Sequence, residues 1–438
     1  MLSLGLMSGT SMDGIDAALI ETDGKASIHE LPFTSLSYDS HFRTLMKAAE
    51  LAARKAAGNL ELAKLNYDRA LKTFLIAELG TPPAEVSACI AALNHYFHGN
   101  AQTPVTFDQI VTRSTELHIE VVQQLLNLAG YTADNIDLIG YHGQTLFHCP
   151  GNTTLQVGDA QLLADKTGIT VISNFRSKDV AAGGQGAPLV PLFHQALAVR
   201  DNNFPAAVVN CGGIANISLI TGKHETELIG FDTGPGNCLI DRYVRLKSAG
   251  KEQMDTNGKY GLNGKVSEKV LARLYKKAIF NNGQNYFDII PPKSLDIGEL
   301  HLIPELDELS IADACATLEA FTADTIVNGL KYFAGDIPPI WILAGGGWHN
   351  PVITRELIAR LTKLSPNVKV LTAEEANWSS SALESQTFAY LAARSLQKLH
   401  ISLPSTTRVP QALTGGDIYL PVSGATTTVT NWLAQTTV

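Results

Sequence analysis

Apolar residues lead the chain in at Leu4 and Leu6 and give way to Ser8, Gly9, Thr10, Ser11, Asp13 and Gly14. They return from Ile15 to Ile20, with only Asp16 interrupting. This pattern predicts two strands joined by a wide turn of small polar residues. Over 41–80, Ala, Leu, Lys and Glu recur at helical spacing, and Gly58 parts the stretch into two predicted helices. A further helix is predicted over 107–130, ending at Gly130. Residues 136–148 (IDLIGYHGQTLFH) read as a buried strand entering a glycine turn, and 168–175 (GITVISNF) as another strand. A long helix is predicted over 311–335, stopping at Gly335. A strand entering a triple glycine follows over 338–350, then an alanine-rich helix over 380–399. Strand-like and helix-like segments alternate, so the fold class is α/β. The best break lies at 196–207, where a helical stretch ends in Asp201-Asn202-Asn203 and Pro205 before a fresh strand. It divides the chain into an N-terminal lobe, 1–200, and a C-terminal lobe, 201–438. The last helix is a candidate to pack back on the first lobe.

That fresh strand opens a second copy of the N-terminal design. Residues 206–222 (AAVVNCGGIANISLITG) run from an apolar stretch through Asn210-Cys211-Gly212-Gly213 to Asn216 and a second apolar stretch. Internal similarity of this kind points to two related halves. Physically, a pair of such hairpins suits two phosphate clamps. Glycine lets the main chain approach closely, and its N–H groups can face anionic oxygens. Ser and Thr hydroxyls add donors without bulk, and Asp13 suits magnesium, directly or through water. The bland alternative is two ordinary hairpins, but those prefer two-residue turns. Other phosphate devices are missing. There is no GxxxxGK[ST], and AGGGWHN (344–350) comes closest to GxGxxG with Asn350 in the last glycine's place.

Composition narrows the function classes. Of 438 residues, 45% are hydrophobic and 17% charged, with a net charge of -9, which argues against a uniformly basic nucleic-acid surface. The N-terminal apolar run is short and lacks a preceding basic residue, so neither a signal peptide nor a membrane span is expected. Five widely spaced cysteines without a CxxC pair predict reduced, mostly structural thiols in a cytoplasm, and twelve scattered histidines give no HExxH.

Seven blocks, GLMSGTSMDGID, GYHGQTLFHCP, LQVGDA, RSKDVAAGGQGAPLVPLFH, NCGGIANIS, GFDTGPGNCLID and LAGGGWHNPVI, together resemble the anhydro-N-acetylmuramic acid kinases of the sugar kinase/actin clan. They run in order from residue 5 to residue 353. The resemblance implies two related lobes of the ribonuclease H-like/actin-like ATPase type with an interdomain nucleotide cleft. It implies ATP and Mg2+ as cofactors, a small amino sugar as substrate, a cytoplasmic location and a homodimer, with no nucleic-acid or membrane partner. The implied reaction opens the bridge of 1,6-anhydro-N-acetylmuramic acid with water and phosphorylates O6, yielding N-acetylmuramic acid 6-phosphate and ADP in murein recycling.

The same resemblance distributes the site. Asp179, ahead of Ala181-Ala182-Gly183-Gly184, is the expected base for the attacking water, since a carboxylate near the sugar can accept its proton. A helix-cap or salt-bridge aspartate is the plain alternative. Where the family's DFR is expected to carry Asp, this chain has Asn174, which cannot act as a base. Gly9, Thr10, Ser11, Met12, Asp13 and Gly14 are expected at the phosphates from the first lobe, and Gly212, Gly213 and Asn216 from the second. Gly345, Gly346 and Gly347 are expected at the adenosine. His142, Gln144, Asp159, Asp232 and Gly234 are assigned to the sugar side, with Arg176 for the lactyl carboxylate, or else a surface ion pair. Asp13 and Asp232 are the magnesium candidates. Glu384 matches a family glutamate, with a plain helix-surface role equally open. The tail departs from the family at Thr407-Arg408-Val409. Another sugar or acyl kinase of the clan, or a non-enzymatic actin-like ATP switch, are the competing functions.

Overall fold

A computed structural model of the chain describes residues 1–280, 283–333 and 335–435. One sheet takes β1 (Leu2–Ser8), β2 (Gly14–Thr22), β3 (Ile28–Ser37), β4 (Leu138–Cys149), β5 (Thr153–Val157) and β6 (Thr170–Ser173). A second takes β7 (Ala206–Cys211), β8 (Ile214–Ile220), β9 (Leu228–Pro235), β10 (Ile340–Ala344) and β11 (Lys369–Thr372). The short β12 (Asp417–Tyr419) returns to the edge of the first.

The strand orders are β12-β6-β4-β1-β2-β3, with β5 paired to β4, and β11-β10-β7-β8-β9. In both sheets the first three strands pair antiparallel with one another, and two later strands, β4 then β6 in one and β10 then β11 in the other, are added in parallel beside the first. This repeated order and direction gives two related lobes of the ribonuclease H-like/actin-like ATPase type. It also accounts for the likeness of the two glycine turns. Each joins the first two strands of its sheet, with Met7 opposite Asp16 in one and Asn210 opposite Asn216 in the other.

β1 is buried on both faces, which is why it reads as apolar without alternation. Leu4 and Leu6 enter a core shared with the helices Ser40–Lys55 and Phe107–Ala129. Gly5, between them, faces the helix Leu383–Leu396. A Cβ on Gly5 would lie 1.8 Å from the Ser385 carbonyl oxygen, and one on its register partner Gly140 would lie 2.0 Å from that of Phe388. The two glycines thus let a buried helix settle onto the strand backbones.

Contacts group Met1–Gly186, Ala382–Ser402 and Ala412–Val438 into one compact unit, and Ala187–Ser381 with Leu403–Gln411 into another. The division lies at 186/187 rather than 200/201 because the helix Pro191–Arg200 packs on β8 and β9. Gln195 Nε2 donates to the carbonyls of Gly222 (3.0 Å) and His224 (2.8 Å) there. Other differences are local. The second helix expected within 41–80 is two, Leu60–Leu65 and Tyr67–Ala77, parted at Asn66, whose side chain donates to the Leu62 carbonyl. The helix expected to reach Gly335 ends at Asn328 and tightens into a 3-10 turn, Gly329–Tyr332.

Candidate active site

In the first unit, the turn between β1 and β2 has its carbonyls tied to the protein. Gly9 O accepts from Met12 N (3.1 Å) and Gln144 Nε2 (2.9 Å). Thr10 O accepts from Lys47 Nζ (3.1 Å), and Ser11 O from Arg43 Nη2 (3.3 Å). Met12 bends the chain at φ +54° with its side chain in the core. Among the described residues no hydrogen bond uses the N–H of Thr10 or Ser11. Cations hold two of the turn's carbonyls and the Thr10 and Ser11 N–H groups are left over, which is the polarity of an anion cradle. Gly14 has a different reason to be glycine: a Cβ there would sit 2.4 Å from the Leu36 carbonyl oxygen on β3.

Three carboxylates gather at this turn. Asp13 is exposed and accepts a 2.6 Å bond from Ser11 Oγ. Asp16, half-buried on β2, has its carboxyl pushed up to about 6, by burial first and then by the charges of Glu384 and Asp13. Glu384, in the first turn of Leu383–Leu396, is exposed while its neighbours Leu383, Ser385 and Gln386 are buried. No group of three His, Cys, Asp or Glu among the described residues could enclose a metal by itself. A magnesium ion that keeps its waters and takes one or two carboxylates plus phosphate oxygens fits this donor set.

Asp179 lies in the short helix Ser177–Ala181 and is 1% exposed. Its Oδ1 accepts the Gly186 N–H at 2.5 Å. Gly184 makes room, since a Cβ there would lie 2.3 Å from that same oxygen. The Gly186 carbonyl accepts from Arg176 Nη1 (2.7 Å), while Arg176 Nε donates to His142 Nε2 (3.0 Å). The other ring nitrogen of His142 stands 2.8 Å from the Gly143 carbonyl, so the neutral Nδ1–H tautomer satisfies both bonds. Burial, then the Arg176 cation, holds the imidazole well below its usual range. Residues from two parts of the sequence, β4 and the stretch 176–186, thus form one line, His142–Arg176–Gly186–Asp179. Asn174 adopts φ +62°, donates to Asp417 Oδ2 (2.7 Å) and accepts from Ser177, an architectural part.

Two further sugar-side candidates, Gln144 and Asp159, are not part of this line. Both hydrogen bonds of the Gln144 Nε2 go to backbone carbonyls, one of them that of Gly9 in the turn between β1 and β2, and its buried Oε1 has no partner among the described residues. Asp159 is exposed and caps the helix Ala160–Thr167, accepting from Leu162 N at 2.9 Å.

In the second unit, the Gly212 and Gly213 carbonyls accept from the backbone at the start of the helix Cys238–Lys247, at 2.8–3.1 Å. Asn216 Oδ1 is buried without a partner among the described residues. The triple glycine abuts this hairpin. Gly345, at φ +89°, would place a Cβ 2.4 Å from Asn210 Oδ1, and Gly347 one 2.4 Å from Cys211 Sγ. Asp232 is bound through its backbone N–H to the Lys293 carbonyl (2.9 Å) and through Oδ2 to Leu295 N (2.8 Å). Gly234 is a packing position, since a Cβ would meet Thr325 Oγ1 at 2.8 Å.

Sequence reasoning passed over Asp16, Arg43, Lys47 and Lys293. Asp16 had a signal, being the one charge in the apolar run Ile15–Ile20. Lys293 had none. It is 3% exposed, its Nζ lies 4.1 Å from the Tyr286 ring centroid, and burial, then the charge of Lys331, lowers it to about 8.

A model of the family described as anhydro-N-acetylmuramic acid kinase matches residues 56–421. A protein of that name from Rhizorhabdus wittichii is 40% identical, over 96% of this chain and 99% of its own. One from Methylobacterium nodulans is 40% identical over 95% and 99%. A solved activator of the 2-hydroxyisocaproyl-CoA dehydratase from Clostridium difficile is 10% identical, with a TM-score of 0.40 over 91% of this chain and 97% of that one.

Proposed function

This chain belongs to the anhydro-N-acetylmuramic acid kinase family and is a phosphotransferase, and from that premise we propose that it couples two bond changes on 1,6-anhydro-N-acetylmuramic acid. Water adds to C1, the C1–O6 bond of the bridge breaks, and O6 takes the γ-phosphoryl group of ATP. The products are N-acetylmuramic acid 6-phosphate and ADP.

The observation that carries the nucleotide part is a set of three glycines. At Gly9, Gly212 and Gly346 a Cβ would meet nothing closer than 3.5 Å, and none of the three has a left-handed φ. Neither backbone conformation nor packing within the chain requires glycine at these positions. An external group that approaches the main chain closely does. They sit in the two hairpin turns and in the triple glycine, where phosphates and adenosine are expected.

Asp179 takes the proton of the attacking water as the C1–O bond forms. The His142–Arg176–Gly186 line fixes the backbone N–H that orients its carboxylate, so one oxygen is anchored and the geometry of the other is set. The leaving O6 carries the electron pair of the broken bond and is the nucleophile toward phosphorus. The turn N–H groups of Thr10 and Ser11 receive phosphate oxygens and offset charge on them. Magnesium would be held by Asp13 with Asp16 or Glu384 behind it, directly or through water, and would neutralise charge on the transferred phosphate. Asp232, its carboxylate oriented by the bond from Leu295 N to Oδ2, is the second magnesium candidate.

The reading extends to a cytoplasmic enzyme acting as a homodimer. Five free thiols are in keeping with a reducing compartment, and no described helix is long and apolar enough to cross a membrane. Mass spectrometry of the reaction with Mg-ATP and the anhydro-sugar in heavy-oxygen water tests the coupling. A 6-phosphate labelled at C1 is expected. Phosphorylated sugar without label, or ATP consumption without sugar phosphate, would sink ring opening.

A further inference from the structure

The second unit contains a buried acid that the reaction does not use. Glu319, on the helix Ile311–Asn328, is fully buried. Its Oε1 accepts a 2.6 Å bond from Asn350 Nδ2. The other end of the Asn350 amide caps the helix Pro351–Leu364, Oδ1 accepting from Val352 N at 2.9 Å. Asn350 also ends the 3-10 turn Gly346–His349, its N–H bonded to the Gly347 carbonyl at 3.1 Å. One amide therefore ties the glycine turn, the following helix and Glu319 together.

Behind Glu319 lies the segment 255–261. Asp255 accepts from Tyr260 N (2.9 Å) and Gly261 N (3.0 Å), and Gly261 leaves the space in which Glu319 Oε2 sits, 1.7 Å from where a Cβ would be. That Oε2 finds no donor among the described residues, and the group it faces is the Asp255 carboxylate, itself an acceptor. We propose that Glu319 is a positioning residue for the Gly345–Gly347 turn, acting through Asn350 and backed by Asp255.

The clamp works with Glu319 as a neutral acid. Burial, then the Asp255 carboxylate, pushes it up to about 9, while the bond from Asn350 and the charge of Arg355 on Pro351–Leu364 act the other way. Two further ionisable groups interact with the pair, Cys315, one turn earlier on the same helix, and Asp241 on Cys238–Lys247, which faces Asp255. A buried oxygen without a donor is tolerable as a hydroxyl and costly as a carboxylate. Above pH about 9 the ionised Glu319 repels Asp255, so the backing from 255–261 is lost and the carboxylate is pushed off its place, although the Asn350 N–H itself bonds a carboxylate more strongly than a neutral acid.

This inference rests on the reading that the triple glycine receives the nucleotide, and three variants of the full chain separate the two. Glu319→Gln keeps both the acceptor for Asn350 and a donor in place of the hydroxyl. Glu319→Ala removes the clamp. Gly346→Ala probes the nucleotide approach alone. The readouts are KM for ATP and kcat, with Kd for ADP by calorimetry, from pH 7 to 10. We expect Glu319→Ala to raise KM for ATP about tenfold or more with a much smaller change in kcat, and Glu319→Gln to restore it. Wild-type ADP affinity should fall above pH about 9 while that of Glu319→Gln does not. A folded Glu319→Ala with unchanged KM overturns the clamp, and so does a Glu319→Gln profile that falls with the wild type, which decides the matter if the alanine variant does not fold. If Gly346→Ala alone weakens ATP, the nucleotide reading stands without the clamp. If Gly346→Ala leaves ATP binding unchanged, the nucleotide reading fails first and takes the clamp with it.

Discussion

Replacing Gly346 by alanine separates what a glycine does for the protein from what it does for a ligand. A Cβ at this position meets no atom within 4 Å, and φ lies outside the left-handed region. The substitution therefore adds no clash. It removes freedom from the unfolded chain, which at a compatible site stabilises by about 0.4–1 kcal/mol. The melting temperature should stay level or rise slightly. Binding should move the other way. A methyl in the path of a nucleotide in van der Waals contact forces it back by roughly 1 Å. The retreat sacrifices several contacts of about 0.1–0.2 kcal/mol each and the better part of one hydrogen bond of about 1 kcal/mol. Together these amount to about 1.5–3 kcal/mol, or about 10- to 100-fold in KM for ATP. Thermal melts and steady-state kinetics on one preparation test both halves. A Gly346→Ala protein with wild-type stability and wild-type KM for ATP would refute the inference from open Cβ space. Gly9→Ala and Gly212→Ala carry the same expectation at the phosphates.

Asp179→Asn keeps an oxygen for the Gly186 N–H and should fold, bind ATP and lose kcat by about 10²–10⁴-fold; turnover at the wild-type rate in heavy-oxygen labelling would remove Asp179 as the base. Gly140→Ala drives a methyl to 2.0 Å from the Phe388 carbonyl, so denaturant titration should show a loss of at least about 1–3 kcal/mol, and an unchanged midpoint would contradict the packing of Leu383–Leu396 on β4. For Asp16, the folded-state value of about 6 lies above the unfolded value of 3.8. The folded chain therefore binds the proton more tightly, so this group's contribution is present below pH 3.8 and is lost as pH rises to about 6. Asp16→Asn should flatten that part of the stability profile in urea titrations, and an unaltered slope would assign it to other groups.

Local pattern in the sequence determined the local structure. The apolar runs on either side of Gly9–Asp13 and of Asn210–Asn216 are strands because apolar residues next to glycine-rich turns have few other ways to bury themselves. Gly130, a left-handed helix end at φ +71°, and the capping box of Thr106 with Gln109 are written in neighbouring residues, so the helix Phe107–Ala129 could be read directly. The turns expected to hold phosphate were legible for the same reason, since one contiguous segment carries each. Asp179 was legible only as a family position. Its anchor at Gly186 lies seven residues along the same stretch, but the line through Arg176 to His142 depends on that stretch meeting β4. The tertiary structure alone decided the rest. Asp16 and Glu384 act on one another because a helix from late in the chain settles on β1 at Gly5 and on β4 at Gly140. The unit boundary moved to 186/187 because the helix Pro191–Arg200 finds its partners on β8 and β9. Hydrogen-bond geometry and apolar period act over a few residues and leave their mark in composition. Burial, charge proximity and the space beside a glycine depend on which distant segment arrives, and no stretch of sequence records that.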